Sequence, residues 1–204
     1  MGDSVDRFAE DKAVIQKVYA ESVKQYGYTS RGITWGSTES QEVRFRVLLE
    51  VGAKYGDSIL DVGCGLGDLY PFIKQRVGWV NYQGVDINPE LIREAGSIHG
   101  SWLFRCSDIL TDVVPQTDWA VESGALGIDT PHWWDHTRAM LRRMFELANK
   151  GIACNFLSTY SPTKTGSHYA DPRELFDFAC TELSTKVVIR QDYKPNDFTL
   201  YVHH

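Results

Sequence analysis

The sequence lacks a long apolar run, paired cysteines and a basic block, and each absence excludes a class of protein. No stretch of about 18 apolar residues is present and the N-terminus is polar and charged, so neither a membrane span nor a signal peptide is expected. The cysteines stand far apart with no C-x-x-C pair: Cys64, Cys106, Cys154 and Cys180. This spacing predicts no zinc site and no disulfide framework. We therefore expect a cytoplasmic protein that holds no metal and keeps its cysteines reduced.

The chain carries a net charge of -6 with no compensating cluster of basic residues. The group that comes nearest to such a cluster is Arg138, Arg142 and Arg143. Their spacing is that of one outer helix face and predicts a solvated surface. The charge therefore disfavours nucleic acid as a substrate. With 204 residues, of which 43% are hydrophobic and 12% aromatic, the chain suits one globular domain with a sizeable core.

Residues 58–68 hold the most informative pattern, Ser-Ile-Leu-Asp-Val-Gly-Cys-Gly-Leu-Gly-Asp. The apolar run that begins at Ile59 predicts a short buried strand, and helical spacing resumes behind the glycines. The glycines stand at alternate positions, Gly63, Gly65 and Gly67. They let the backbone turn tightly and approach a ligand closely. The helix N-terminus behind them offers amide donors and Asp61 adds a carboxylate, so the segment favours a ligand with both cationic and anionic groups.

Two ligand classes compete for this pattern. A dinucleotide fingerprint spaces its glycines as G-x-G-x-x-G, and its last glycine would fall at Asp68, whose carboxylate would repel a pyrophosphate. The pattern D-x-G-x-G-x-G from Asp61 to Gly67 instead resembles motif I of the class I S-adenosylmethionine (SAM) dependent methyltransferases. That resemblance implies SAM as the cofactor, S-adenosylhomocysteine as its product, and cofactor contacts from this loop, Cys64 included.

Strand-like and helix-like segments alternate along the chain. This alternation predicts an open α/β fold, with a mostly parallel sheet covered by helices on both faces. The predicted strands are residues 59–62, 82–87, 102–106, 119–123, 152–157, 186–190 and 198–202. The predicted helices begin near residues 3, 37, 68, 88, 130 and 171, and the fifth is expected to end at Gly151. Turn chemistry in residues 193–197 makes the last two strands an antiparallel hairpin.

The resemblance covers most of residues 56–203. It implies a Rossmann-like, seven-stranded sheet of order 3-2-1-4-5-7-6 whose last strand runs antiparallel. We expect a single domain, residues 1–204, in which residues 1–55 form an N-terminal helical lid over a core of residues 56–204. The loop from Tyr26 to Gly36 is rich in aromatic residues, glycine and hydroxyl groups, and can cover a ligand.

A polar helix face follows this loop, because Ser37, Gln41 and Arg44 fall on one side of a helix that begins at Ser37. Our hypothesis is that Trp35 closes over the sulfonium end of SAM while Arg44 or Gln41 holds its carboxylate. A solvated helix face beside an interior tryptophan would explain the same residues.

Acids follow the second and third strands, at the sheet edge where open α/β proteins bind ligands. Asp86 is placed to accept hydrogen bonds from the ribose hydroxyls, and Ile87 can lie against the adenine ring. The resemblance implies the same role for Asp86 and an adenine-facing role for Asp108. A turn acid or helix-start residue is the alternative for Asp86, and a surface acid is the alternative for Asp108. The predicted cofactor-binding residues are Trp35, Arg44, Asp61, Gly63, Cys64, Gly65, Gly67, Asp86, Ile87, Asp108, Ile109, Glu122 and Ser123.

Glu122 and Ser123 end the fourth strand, beside the expected position of the transferable methyl group. Methyl transfer is an in-line displacement, so alignment and removal of one acceptor proton are sufficient and no dedicated nucleophile is needed. The candidate bases are Glu122, His132 and His168, and Tyr160 is a candidate orienting hydroxyl. Each has a structural alternative; His132, for example, is also explained as a first-turn helix residue.

The segment after the fourth strand bears on the methyl acceptor. Amino-directed nucleic-acid methyltransferases of this class carry there a motif of Asn, Asp or Ser followed by Pro-Pro and an aromatic residue, whereas this chain has Glu122-Ser123-Gly124-Ala125. The resemblance therefore indicates the small-molecule branch, with transfer to oxygen, nitrogen or carbon. A protein or RNA methyltransferase and a non-catalytic SAM-binding module stay open, with a nicotinamide oxidoreductase behind them. The sequence does not indicate an oligomeric state.

Overall fold

A seven-stranded sheet flanked by helices forms the fold, which a computed structural model describes for residues 7–204. The strands are β1 Ser58–Val62, β2 Asn81–Asp86, β3 Phe104–Cys106, β4 Thr117–Ser123, β5 Ala148–Leu157, β6 Val187–Arg190 and β7 Asp197–His203. The α-helices are α1 Ala9–Tyr26, α2 Thr38–Leu48, α3 Leu69–Arg76, α4 Pro89–His99, α5 Trp133–Leu147 and α6 Pro172–Glu182. Short 3₁₀ turns lie at Leu49–Val51, Ser101–Leu103 and Ala125–Gly127.

The strand order is β3-β2-β1-β4-β5-β7-β6. The first five strands pair in parallel, and β7 runs antiparallel to both of its neighbours, β5 and β6. These findings confirm the predicted Rossmann-like sheet and its terminal hairpin. The chain reverses its direction across the sheet between β1 and β4, and a switch point of this kind leaves a crevice at the carboxyl ends of the strands.

Side chains of the central strand alternate between two hydrophobic clusters, one on each face of the sheet. Leu60 belongs to the cluster that includes Leu141 of α5 and Leu175 of α6. Its neighbour Ile59 belongs to the cluster that includes Phe45 of α2 and Ile73 of α3. Because strand residues alternate in direction, a parallel strand covered by helices on both sides needs apolar residues at consecutive positions. The short apolar run of β1 meets that requirement.

Three helices begin where the sequence predicts capping residues. Ser37, Asn88 and Asp171 have extended backbones, and each side chain accepts a hydrogen bond from an amide of the first helical turn. Pro89 and Pro172 occupy the first helical positions of α4 and α6, where no amide hydrogen is needed.

Gly151 does not end the fifth helix, as the sequence predicts, but lies inside β5. The helix ends at Leu147 and the strand begins at Ala148, which pairs with Thr117 of β4. A Cβ atom at Gly151 would lie 2.4 Å from the carbonyl oxygen of Val202 on β7. The glycine therefore permits close approach of a neighbouring strand, and its role as a helix stop is corrected.

The start of α5 also differs from the prediction. Helical residues begin at Trp133, not at residue 130, and the amide of His132, just before the helix, donates to Asp11 Oδ1 at 2.8 Å. Asp11 belongs to α1 and is fully buried. A contact between elements far apart in sequence therefore lies at the start of this helix.

Two further boundaries depart from the predictions at single elements. The third strand begins at Phe104, because Trp102 lies in a 3₁₀ turn and is 83% exposed. The first helix begins at Ala9, and residues 3–6 of the predicted helix lie outside the described residues. Within residues 7–204, no helix combines the length and the apolar character that crossing a membrane requires.

Phe198 of β7 is fully buried, and its ring centroid lies 5.3 Å from that of Phe156 on β5. We expect Phe198→Ala to lower the free energy of unfolding by about 3–5 kcal/mol, because it removes buried apolar area and leaves a cavity. Urea unfolding followed by circular dichroism measures this change. Val188→Ala on β6 is the matched control, since Val188 is 52% exposed; its expected effect is within about 0.5 kcal/mol. Equal effects of the two substitutions would contradict the packing described.

Candidate functional site

A cavity of about 420 Å³ lies at the carboxyl ends of β1, β2, β4 and β5. Its volume is within the range of small-ligand sites, roughly 300–1,000 Å³. The walls come from α1, the loop before α2, the glycine loop, the loop after β5 and the turn between β6 and β7. Most residues predicted to bind a cofactor line it: Trp35, Arg44, Asp61, Gly63, Cys64, Gly65, Asp86, Ile87, Asp108, Ile109 and Ser123. Gly67 and Glu122 lie behind this lining.

The glycine loop adopts a conformation that other residues rarely take. Gly63, Gly65 and Gly67 have φ values of 70°, 54° and 76°. The Gly63 amide donates to the Val85 carbonyl of β2 at 2.8 Å, which ties the loop to the neighbouring strand. A Cβ atom on Gly63 would lie 2.3 Å from the Cβ of Ala125, in the loop after β4. Glycine is therefore required both by the left-handed backbone and by the close approach of a second loop.

Asp86 ends β2 and holds two loops through its carboxylate. One oxygen accepts the Gly65 amide at 2.9 Å and the other accepts the Asn88 amide at 2.8 Å. Burial raises the pKa of Asp86, and the amide hydrogen bonds act in the opposite direction. Each oxygen retains a second lone pair, so the carboxylate can still accept a donor from the cavity.

Asp61 of β1 lies at the same edge of the sheet as Asp86 and is 3% exposed. The Tyr82 hydroxyl donates to its Oδ2 at 2.6 Å. Burial raises the pKa of Asp61 to about 7, with a further contribution from the nearby carboxylates of Asp86 and Asp68. A positively charged ligand group beside Asp61 would favour its ionised form and lower that pKa.

Asp108 is held from two directions. It forms an ion pair with Lys12 of α1, and its Oδ1 accepts the Leu110 amide at 2.9 Å. The N-terminal helix is therefore tied to the loop after β3 by a pairing that spans 96 residues of sequence. Within residues 7–204, no group of three or more His, Cys, Asp or Glu side chains is arranged to hold a metal ion.

Trp35 and Arg44 lie together, as the predicted polar face requires. The Arg44 guanidinium stands 4.8 Å from the Trp35 ring centroid, and Trp35 is 8% exposed. Arg44 also forms an ion pair with Asp197 of β7, a contact that the sequence hypothesis did not include. Its Nε atom is buried without a hydrogen-bond partner and can still donate. The Gln41 side-chain amide donates to Asp68 at 3.0 Å, so it already has a partner within the cavity wall.

Glu122, predicted as a base and a cofactor contact, lies in the protein interior. Its side chain is fully buried, Oε1 accepts the Leu126 amide at 3.2 Å, and Oε2 has no partner among the described residues. Burial raises the pKa of Glu122 to about 8. The buried Glu122 carboxyl group positions the loop after β4 through the Leu126 amide and does not form the cavity surface.

The other catalytic candidates also lie outside the cavity lining. His132 Nδ1 is 3.2 Å from Asp11 Oδ2, which connects α5 to α1. The His168 ring stacks on Trp133, with centroids 3.6 Å apart. Tyr160 is 57% exposed. These positions lend no support to the catalytic roles predicted for the three residues.

Sequence reasoning missed several polar side chains that line the cavity. From α1 come Lys12 and Tyr19, which share one helix face with the apolar Ile15; their spacing of three and four residues was a readable signal. The Tyr19 hydroxyl lies 3.5 Å from the Gly124 carbonyl oxygen. From α5 comes His136. Further residues come from β5 and the later loops: Asn155, Thr163, Thr165, Ser167, Tyr169, Lys194 and Asn196.

The Glu122 carboxyl makes stability depend on pH. Its pKa rises from 4.5 to about 8 on folding, so the folded chain keeps a proton that the unfolded chain releases between those values. The resulting stability is fully present at low pH and is lost as pH rises towards 8. We expect Glu122→Gln to reduce this loss, by up to about 1.4 kcal/mol per pH unit. Urea unfolding at a series of pH values measures the slope.

Glu42→Gln is the matched control for that slope, since Glu42 is exposed on α2. It should keep the parent's pH dependence, including the part that Asp61 contributes in every variant. A Glu122→Gln slope equal to that of the parent would show that Glu122 is ionised in the folded chain.

Sequence comparison identifies a related methyltransferase. The chain is 30% identical over 158 residues to "Putative methyltransferase Rv1506c" of Mycobacterium tuberculosis (strain ATCC 25618 / H37Rv). The alignment covers 71% of this chain and 92% of that protein. No protein-family model matches the chain.

Solved methyltransferase structures share the fold over nearly the whole chain. Magnesium protoporphyrin IX methyltransferase (ChlM) from Synechocystis PCC 6803 with bound SAM has a TM-score of 0.64 at 15% identity, covering 100% of both chains. The 1,6-didemethyltoxoflavin-N1-methyltransferase of Burkholderia thailandensis has a TM-score of 0.66 at 15% identity, covering 100% of this chain and 92% of its own. The N-methyltransferase NodS from Bradyrhizobium japonicum WM9 has a TM-score of 0.65 at 13% identity, covering 94% of this chain and 98% of its own. With the sheet order and the 30% identical relative, these findings show that the chain belongs to the class I, Rossmann-like SAM-dependent methyltransferases.

Proposed function

We propose that this chain binds SAM and transfers its methyl group to an oxygen, nitrogen or carbon atom of a small-molecule acceptor. One observation carries the proposal. The cavity that begins at the glycine loop, Asp86 and Asp108 continues without interruption to a polar wall formed after β5. Such a cavity can hold a cofactor and a second small ligand together. The structural relatives named above support the proposal, since two of their names specify small acceptors.

The end near β2 and β3 suits a nucleoside. Asp86 can accept hydrogen bonds from ribose hydroxyls through lone pairs that its amide bonds leave unused. Asp108 is assigned to the adenine amino group, and Ile87 and Ile109 supply apolar contact on the same lining. The glycine loop allows the backbone to approach closely, with Gly67 supporting the turn from behind.

The end near β1 and α2 suits the amino acid portion of SAM. Asp61 can pair with the ammonium group, which would favour the ionised carboxylate over its buried neutral form. Arg44 offers a buried Nε donor to the carboxylate, although its guanidinium also serves Asp197. Trp35 presents an aromatic surface for the sulfonium. Cys64 and Ser123 line the space between these groups.

For methyl transfer, the protein must align the acceptor with SAM and exclude water. SAM, when bound, supplies a methyl group on a positively charged sulfur. A lone pair of the acceptor forms the new bond to the methyl carbon as the carbon–sulfur bond breaks, and that bond's electron pair stays on sulfur. The residues of this chain hold the acceptor in line and keep water out, which is a large part of the barrier reduction in such reactions.

Proton removal, where the acceptor needs it, must come from a group at the cavity surface. Glu122, His132, His168 and Tyr160 would have to change position to reach it. His136 is the one histidine of residues 7–204 that lines the cavity. We therefore propose His136 as the base in place of the three predicted bases, Glu122, His132 and His168, and propose Glu122 as a positioning residue for the loop after β4.

The N-terminal segment is proposed to act as a cover. We propose a single domain in which residues 1–55 cover a core of residues 56–204. Lys12 and Tyr19 of α1 and Trp35 of the following loop line the cavity, which supports this assignment. A protein or RNA acceptor would have to displace this cover, so a small acceptor is favoured. All four cysteines are free, which supports a cytoplasmic location.

Calorimetry on the purified chain tests the cofactor. We expect S-adenosylhomocysteine to bind and NADH not to bind. Asp86→Ala should weaken S-adenosylhomocysteine binding at least about tenfold, because charge-assisted hydrogen bonds to the ribose are lost. Asp177→Asn, at an exposed carboxylate on α6, is the control and should bind as the parent does. Binding of NADH alone would overturn the cofactor assignment, and unchanged binding by Asp86→Ala would remove Asp86 from it.

Methyl-labelled SAM tests the acceptor class. We incubate the chain with the small-molecule fraction and, separately, with the macromolecular fraction of a cell extract. Label should enter the small-molecule fraction, because α1 and the loop that follows it line and cover the cavity. Label in protein or RNA alone would favour a macromolecular acceptor. Tight S-adenosylhomocysteine binding without label in either fraction would favour a non-catalytic SAM-binding module.

A further inference from the structure

Two cationic side chains share one buried carboxylate at the β5–β7 end of the cavity. Asp197 begins β7 and is fully buried. It forms ion pairs with Arg44 and with Lys194, whose Nζ lies 3.2 Å from Oδ2. Both Arg44 and Lys194 line the cavity. Two positive charges against one negative charge leave this cluster with a net charge of +1, next to the space where a ligand binds.

Lys194 keeps donor capacity after its protein contacts are counted. Its ammonium group has three donors, of which one reaches Ser40 Oγ at 2.5 Å and one faces Asp197. Asn196, two residues later in the same turn, uses Oδ1 to accept from Ser161 at 2.9 Å. Its amide nitrogen has no acceptor among residues 7–204 and also belongs to a cavity-lining side chain. The turn therefore offers an ammonium and an amide donor to the same ligand.

The charge distribution of the cavity favours an anion at this turn. Carboxylates also line the wall near β2 and β3, where Asp86 and Asp108 stand. SAM carries a sulfonium and an ammonium against one carboxylate, so it adds a net charge of +1 to the cavity. If its carboxylate takes the Nε donor of Arg44 and its ammonium pairs with Asp61, the charge of the cluster is balanced and the sulfonium keeps the excess positive charge. An anionic acceptor would supply a counter-charge to the sulfonium and would accept from Lys194 in a partly dehydrated space.

We propose that the methyl acceptor carries an anionic group, a carboxylate or a phosphate, which Lys194 and Asn196 bind at the β5–β7 end of the cavity. This inference rests on the proposed function and names the substrate class of the same site. Lys194 is then a substrate-binding residue that determines specificity. The acceptor atom lies towards β4, where Ser123 and Gly124 line the wall. The bond changes are those of the transfer already described, and the anionic group keeps its charge throughout.

Fractionation of the small-molecule extract by charge tests the substrate class. Anion exchange at neutral pH separates bound anions from neutral and cationic compounds. Mild acid then releases carboxylates, which become protonated, while phosphate esters stay bound. Each fraction is incubated with the parent chain and methyl-labelled SAM. We expect label in one of the two anionic fractions, and the fraction that is labelled distinguishes a carboxylate from a phosphate.

Three variants test the residue. Lys194→Gln should lower the labelling rate at low acceptor concentration by about tenfold to hundredfold, because it removes a charge-assisted contact to the acceptor. The loss should appear in KM for the labelled acceptor fraction. Lys194→Arg should recover most of the rate, since the charge is restored. Lys164→Gln is the control, because Lys164 lies in the loop after β5 but does not line the cavity.

Binding of S-adenosylhomocysteine separates this inference from the proposed function. Every variant should bind it within about twofold of the parent, since Lys194 is assigned to the acceptor and not to the cofactor. A parent chain that fails to bind S-adenosylhomocysteine overturns the proposed function. Label confined to the neutral or cationic fraction overturns the anionic acceptor alone. Unchanged KM in Lys194→Gln removes Lys194 from acceptor binding.

Discussion

Three carboxyl groups at the ends of adjacent strands, of which Asp61 and Glu122 are buried and Asp86 is partly buried, hold the edge of the cavity together. Asp86 on β2, Asp61 on β1 and Glu122 on β4 lie in a region of low dielectric, where an unsatisfied carboxylate would cost several kcal/mol. Each accepts a hydrogen bond from another residue: Asp86 from a glycine-loop amide, Asp61 from the Tyr82 hydroxyl, and Glu122 through Oε1 from the Leu126 amide. Asp86 and Glu122 therefore fix the loops that follow their strands, and Asp61 links β1 to β2.

A cavity with acids at one end requires positive charge nearby, and distant parts of the chain supply it. Lys12 of α1 pairs with Asp108, and α1 is held further by Asp11, which bonds the backbone and ring of His132, the residue just before α5. These contacts place the N-terminal helix over the cavity. The same arrangement that neutralises an acid also covers the ligand space. These contacts therefore both balance the charge of the acids and hold α1 over the cavity.

The sheet and the cofactor end were predictable because they depend on local patterns. A strand, alternate glycines and a helix occupy residues 58–76, and acids follow predictably at the ends of neighbouring strands. The catalytic and acceptor residues were not predictable in the same way. Histidine can act as a base, which makes His132 and His168 candidates for catalysis, but Asp11 and Trp133 hold them outside the cavity. Those contacts join residues far apart in sequence, where periodicity carries no information.

The acceptor end is where members of one fold can differ most. The solved relatives share this sheet at 13–15% identity, and the acceptors in their names include a magnesium porphyrin and a didemethyltoxoflavin. A common sheet therefore does not determine the acceptor. In this chain the acceptor wall comes from the loop after β5 and from the β6–β7 turn. Loops tolerate change without loss of the core, whereas removal of the Asp86 or Glu122 carboxyl group would free the loop amides that it holds. Specificity can change at Lys194 and Asn196 while the cofactor end stays as it is.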